Sequence, residues 1–234
     1  MFQHKHPYEP FLFPEAEKLI VGTLPPPRFT TGNLKERDVN FCYGSRDGQL
    51  WPILDKIFKL DLKFETTADA IQQRKDFLRQ RKIGICDIVS SAERQKVDAS
   101  DLGMQNIKLR NLIDYLQKHP KVHTLIFTGG NSKNGPEYFF RKHLKEHNIK
   151  LEVVCDVVPR IHQFELPSLS SVIPTKEESY EKPTTRLIKT VSLTAPSGAA
   201  NRAVGSLDAY KMMKQKNPKF NTFDFRVLQY KDFF

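Results

Sequence analysis

The chain holds 234 residues, of which 39% are hydrophobic and 27% charged, with a formal net charge of +10 at pH 7. That content suffices for one large α/β domain or two small ones and excludes wholesale disorder. The basic excess favours a polyanionic partner, nucleic acid ahead of an anionic membrane, although lysines that only solvate the surface give the same sum.

The opening stretch, MFQHKHPYEPFLFPEAEK, has no long apolar core and no small-residue cleavage site, so it does not read as a secretion signal. His4 and His6 lie in it and are expected to be mobile. Residues 18–24 form the first predicted strand, a short apolar run that stops at Gly22 and soon meets Pro25, Pro26 and Pro27. Residues 49–60 carry Leu50, Ile53, Leu54, Ile57 and Phe58 at helical spacing, and residues 68–80 can form a second helix. Further strands are predicted at residues 83–89, 122–128, 151–154 and 188–194, and further helices at 106–118, 136–147 and 201–216. Most of the strands are near-continuous apolar runs, as expected where both faces of a sheet are covered. Strand alternating with helix implies a three-layer α/β/α sandwich around a central, mostly parallel sheet of four to five strands.

Residues 163–186, rich in Pro, Ser, Thr and Glu, read as a long surface loop that starts no second core, so residues 1–234 are expected to form a single domain. The last residues, FNTFDFRVLQYKDFF, alternate aromatic and polar side chains and read as a strand and turn packed on the body. No apolar run approaches the ~20 residues that span a bilayer. A soluble, cytoplasmic protein is expected, nucleoid-associated in a bacterium. Cys42, Cys86 and Cys155 lie far apart without a CxxC pair, which speaks against zinc or an iron–sulfur cluster and for buried thiols. His143 and His147 are spaced i, i+4 but lack a third ligand, so they read as a solvated helix face and no metal site is expected.

Right-handed crossovers gather the loops after the strand carboxyl ends at one edge of such a sheet. Here those loops are GTLPPPRF at 22–29, DIVSSAER at 87–94, TGGNS at 128–132 and TAPSGAANR at 194–202. Prolines hold the first open and rigid, and Gly22 lets backbone approach a ligand. The last runs into a helix N-terminus, where free N–H groups favour a phosphate. A further segment, NFCYGSRDGQLWP at 40–52, places Tyr43 shortly before a helix. There is no P-loop and no G-x-S-x-G elbow.

Four of these pieces, in order over residues 20 to about 205, resemble motifs of the uracil-DNA glycosylase superfamily, nearest to its branch of mismatch-specific uracil and hypoxanthine-DNA glycosylases. The first loop resembles that superfamily's G-x-[D/N/E/S/M]-P segment, and YGSRDGQLWPIL its aromatic-x-H-P-x-N-x-F-W segment. GICDIVSSAER resembles its base-reading strand and loop, and TAPSGAANRA its second active-site motif, [H/N]-P-S-G or S-P-A-N. The resemblance implies a base-excision repair enzyme that extrudes a deaminated base, uracil or hypoxanthine, and hydrolyses its N-glycosidic bond without metal or cofactor. It places Tyr43 against the face of the base, Asp87 at its edge, and Gly22, Thr23 and Leu24 along the pocket. It also places Pro25, Ser197, Gly198, Asn201 and Arg202 on the DNA. A core tyrosine, a turn-closing aspartate and a solvated arginine are the plainer readings of Tyr43, Asp87 and Arg202. The implied partner is DNA with a damaged base, bound by a monomer without membrane contact.

Three positions depart from the superfamily's pattern. Leu24 stands where a water-positioning polar group is common, Gly48 where the hypoxanthine branch has an asparagine, and Ala195 where the second motif has His or Asn. Asp47 and Gln49 flank Gly48 and are the candidate catalytic groups; Asp47 could instead cap the helix that follows. A second reading therefore stays open, a catalytically weak or inactive superfamily member that binds nucleic acid or a nucleobase. A third is a hydrolase of free nucleosides.

Overall fold

The structure, a computed structural model, describes residues 1–167 and 185–234. In chain order the elements are β1 (Phe2–Lys5), β2 (Lys18–Val21), α1 (Pro27–Thr31), α2 (Leu50–Phe58), α3 (Ala68–Gln80), β3 (Ile83–Ile85), β4 (Val89–Arg94) and β5 (Met104–Leu109). There follow α4 (Leu112–Lys118), β6 (Thr124–Phe127), α5 (Pro136–Glu146), β7 (Glu152–Cys155), β8 (Arg160–Pro167), β9 (Thr185–Ser192), α6 (Asn201–Ser206), α7 (Asp208–Lys216) and α8 (Thr222–Lys231).

A central sheet runs β3-β2-β6-β9-β8-β7, and β1-β4-β5 make a second, antiparallel sheet. Side chains alternate across the central strands. Leu19 and Val21 of β2, with Leu125 and Phe127 of β6, pack against Leu112 and Leu116 of α4 and Phe139 and Phe140 of α5. Ile20 and Ile126 belong instead to the core built by Ile53 and Leu54 of α2, Phe77 and Leu78 of α3 and Tyr230 of α8. Helices thus cover both faces, which is why β2 and β6 carry unbroken apolar runs. Each such large apolar side chain contributes about 1.5–3 kcal/mol on full burial.

The sheet departs from the expected four to five mostly parallel strands. Among the described residues it has six strands and is mixed: β3, β2, β6 and β9 are parallel, while β8 runs antiparallel to β9 and β7 antiparallel to β8. β8 was hidden in the sequence because only alternate residues, His162, Phe164 and Leu166, are buried, and one of them is polar. It takes up the start of the stretch read as loop 163–186, and β9 takes up its end; residues 168–184 lie outside the described residues. β7 is apolar yet exposed, with Val153 63% accessible on the edge strand.

Other boundaries move for local reasons. The predicted strand 83–89 is β3 followed by a crossing into β4 of the smaller sheet. Residues 106–109 of the predicted helix 106–118 belong instead to β5, which pairs with β4, and α4 starts where the Asn111 side chain accepts from the Asp114 amide. The predicted helix 201–216 breaks at Leu207, which is extended. The C-terminal stretch is helix, not strand: Asn221 and Asp224 form a reciprocal capping box, and Phe225, Arg226, Gln229 and Tyr230 share the buried face. The N-terminal stretch is not mobile, because β1 pairs with β4 and buries His4 completely. Burial, with Arg94 beside it, lowers the His4 pKa to about 4. His143 is also buried, which corrects the reading of a solvated face. Pro27, the last of the three prolines, opens α1, where its missing N–H costs nothing. No helix among the described residues is long and apolar enough to cross a membrane.

Candidate active-site cleft

Three parallel strands, β2, β6 and β9, end at the same edge of the sheet, and β3 ends beside them. The chain beyond β3 delivers Asp87 to the loop that follows β2. Its Oδ1 accepts from the Gly22 amide at 2.8 Å and from the Tyr43 hydroxyl at 2.8 Å. Its Oδ2 lies 2.9 Å from His6 Nε2, and both side chains are buried. Tyr43 also lies 3.2 Å from Thr128 Oγ1, at the end of β6. Burial, and the Asp87 charge next to it, push the Tyr43 pKa well above its ordinary value, so its hydroxyl stays a neutral donor.

Gly22 is required by this packing. A Cβ there would stand 2.2 Å from the Tyr43 hydroxyl and 2.9 Å from Asp87 Oδ1. Gly22→Ala is therefore expected to displace Tyr43 and to cost about 1–3 kcal/mol, read as a lower urea midpoint with an unchanged slope. An unchanged midpoint would show that this junction is loose.

The segment carrying Tyr43 is held by charge. Tyr43 itself adopts a left-handed backbone (φ 59°), and a Cβ on Gly44 would come within 1.9 Å of the Val39 carbonyl oxygen. Asp38, fully buried, accepts Arg28 through Nε at 2.7 Å and Nη2 at 2.8 Å, and the amides of Lys35 and Arg46 at 2.8 Å each. Burial opposes the Asp38 charge, but the bonds from Arg28, Arg46 and Lys35 outweigh it and lower the pKa to about 2. Arg28 reaches on to Ser45 Oγ and to Asp47 Oδ2 at 3.1 Å. A depressed carboxylate pKa stabilises the fold above its unfolded value and loses that contribution as pH falls through the folded one. Wild type should accordingly lose stability between about pH 4 and pH 2 more than Asp38→Asn does, in denaturation curves across that window. Equal losses would remove Asp38 as the anchor.

The loop after β9 is held from behind by Arg226 of α8, which is fully buried. Its Nε donates to the Ala195 carbonyl at 2.8 Å and its Nη2 to the Ser197 carbonyl at 3.0 Å. Its Nη1 donates to Gln49 Oε1 at 2.9 Å and Asn201 Oδ1 at 2.8 Å. Among the described residues its five hydrogen-bond acceptors are carbonyl oxygens of backbone or side-chain amides, with no carboxylate among them. The loops at 40–52 and 194–202 also join directly, through the Gln49 amide to the Pro196 carbonyl at 2.8 Å and a bridge between Gly48 and Ser197.

Between these loops lies a cleft of about 430 Å³, within the ~300–1,000 Å³ usual for small-ligand sites. Thr23, Leu24, Pro25, Tyr43, Asp47, Gln49, Asp87, Ser197 and Gly198 all line it, as does Ala195. Gly22 joins it through its bond to Asp87. Asn201 and Arg202 do not line it: Asn201 is bonded to Arg226 and Thr222, and Arg202 is exposed on α6. Asp47 is 65% exposed and paired with Arg28, and it does not cap α2, whose N-cap position is Gln49, with no side-chain capping bond.

Sequence reasoning missed His6, Tyr8 and Asp101, which also line the cleft, as does Thr128 of the loop expected at this edge. Asp101 sits in the short 3-10 turn before β5, and its Oδ1 accepts from Thr23 Oγ1 at 2.9 Å. Burial pushes its pKa up to about 6 against the opposing bond from Thr23. Among the described residues no group of three His, Cys, Asp or Glu side chains is arranged to hold a metal ion.

No protein-family model matches the chain, and no curated protein does. Among solved structures it is similar to the solution NMR structure of a candidate uracil DNA glycosylase from Methanosarcina acetivorans, with 14% identity, 96% of this chain and 98% of that chain covered, and a TM-score of 0.51. At that identity the likeness speaks for a shared mixed α/β fold.

Proposed function

We propose that the chain is a DNA glycosylase of the uracil-DNA glycosylase superfamily, in the mismatch-specific uracil and hypoxanthine branch, acting as a single-domain monomer on a flipped deaminated base. The observation that carries this reading is the single cleft in which the loops after β2, β3 and β9 and the segment at 40–52 meet around the Asp87 carboxylate. A +10 chain suits a phosphate backbone.

The chemistry of Asp87 gives the reading its selectivity. With Gly22, Tyr43 and His6 engaged, one lone-pair direction on Oδ2 remains for the cleft. Uracil and hypoxanthine carry a ring N–H where cytosine and adenine carry a lone pair, so a carboxylate accepts from the deaminated base and repels its parent. Tyr43 packs against the face of the base, while Gly22, Thr23 and Leu24 wall the pocket. Pro25, Ser197 and Gly198 meet the flanking backbone, with Asn201 and Arg202 farther along it. Asp47 and Gln49 stand at the sugar side, the first held by Arg28 and the second by Arg226.

Oligonucleotides carrying uracil, hypoxanthine or xanthine, single-stranded and mispaired, test this by alkali cleavage at abasic sites. Strand breaks at one of these bases support the glycosylase. The apolar Leu24 and Ala195 in the cleft favour a second reading, a binder without catalysis. Salt-sensitive DNA binding with no breaks at any base would establish that reading instead.

A further inference from the structure

We propose that Asp101 is the water-activating carboxylate of the cleft, standing in for the polar group that the loop after β2 lacks at Leu24. The inference rests on the glycosylase reading above.

Among the described residues three carboxylates line the cleft, and their surroundings separate their roles. Asp87 is saturated on Oδ1 and half-engaged on Oδ2 by buried partners. Asp47 is largely in solvent and neutralised by Arg28. Asp101 is bound through Oδ1 to Thr23, the residue next to Leu24, and its Oδ2 accepts no hydrogen bond among the described residues. Its backbone is fixed as well: the Asn134 side chain donates to its carbonyl at 2.9 Å, and so does the Met104 amide. The carboxyl is therefore held, on a turn tied down at its carbonyl, in the lining of the same cleft as Tyr43 and Asp87, beside the loop whose usual polar group is missing.

The groups around it set its basicity. Burial raises the pKa, Thr23 and the Arg94 guanidinium of β4 lower it, and the Asp87 charge raises it again, to about 6 overall. A base poised there is ionised at neutral pH and still strong enough to take a proton from water. In the step, the C1′–N bond breaks and its electron pair leaves with the base. The water oxygen bonds C1′, and a water proton passes to Asp101 Oδ2. Solvent protonates the departing base, and Asp101 later returns its proton to solvent. The carboxylate charge also faces the oxocarbenium sugar as it forms.

Single-turnover cleavage by wild type, Asp101→Asn and Asp47→Asn across pH 4.5–9 tests the assignment (about that span brackets the group). Wild type should show an acid limb with an apparent pKa of about 6. Asp101→Asn should lose ~10²–10⁴-fold in rate and the limb with it. It should bind undamaged DNA as wild type does and melt no lower, because the amide keeps the Thr23 bond and removes a partly buried charge. Asp47→Asn should keep the limb. Cleavage by Asp101→Asn at the wild-type rate, or a slower rate with the limb intact, overturns the assignment and leaves the glycosylase reading standing. Wild type that cleaves no substrate at any pH overturns both.

Discussion

Asp87→Ala is expected to abolish selective excision, with a loss of ~10²–10³-fold or more in single-turnover rate. The carboxylate gathers donors from three separate parts of the chain: the Gly22 amide, the Tyr43 hydroxyl and the His6 ring. Alanine leaves each without its partner in a buried place, at about 1–3 kcal/mol for each group left unsatisfied. The rate loss could then reflect a collapsed cleft, so Asp87→Asn is the sharper variant. Its carbonyl still accepts from Gly22 and Tyr43, and its amide turns a donor toward His6 and the cleft. The fold should survive while the preference for a base with a ring N–H disappears. Competition binding between oligonucleotides with uracil and cytosine, or hypoxanthine and adenine, reads this directly. An Asp87→Asn variant that keeps the wild-type preference would take base reading away from Asp87.

Arg226→Ala is expected to be the most damaging change outside the cleft. A buried guanidinium is hydrogen-bonded to Ala195, Ser197, Gln49 and Asn201, so its removal orphans acceptors in two loops at once. A loss of about 3 kcal/mol or more follows from hydrogen bonds to a charged group, and about 2–4 °C in melting temperature per kcal/mol in a chain of this size. Arg226→Lys separates charge from geometry. The ammonium keeps the positive charge behind Ser197 and Gly198 but cannot span the same acceptors as the planar fork. It should melt between wild type and the alanine variant and bind DNA more weakly than its stability implies. A lysine variant that matches wild type in both would reduce Arg226 to a charge.

The parts of this architecture that were legible in the sequence are those built from local pattern. Leu19, Ile20 and Val21 announce a strand buried on both faces, and Ile53, Leu54 and Ile57 announce the helix that covers one of them. The meeting of the loops follows from strands β2, β6 and β9 running the same way. What was not legible depends on contacts far apart in the chain. His6 meets Asp87 across 81 positions and Arg226 meets Gln49 across 177. No periodicity encodes either pairing. Asp101 lies among charged residues in AERQKVDASDLG, and nothing there distinguishes it from Asp98 until the turn points it at Thr23. The C-terminal stretch misled for a physical reason: Phe223 and Phe225 repeat at two, as in a strand, while the buried set Phe225, Arg226, Gln229 and Tyr230 repeats as a helix. The same ambiguity hid Arg226, because a charged residue at such a position reads as surface until its acceptors are seen.

On the proposed function, the cleft around Asp87 frees a deaminated base from DNA. Chromatographic measurement of the base released from oligonucleotides carrying a single uracil or hypoxanthine, with wild type and Asp87→Ala side by side, tests it most directly. Free base should accumulate in step with abasic sites for wild type and fall by ~10²–10³-fold in the variant. Tight, salt-dependent binding with no free base from either substrate, or equal release by both proteins, would contradict it.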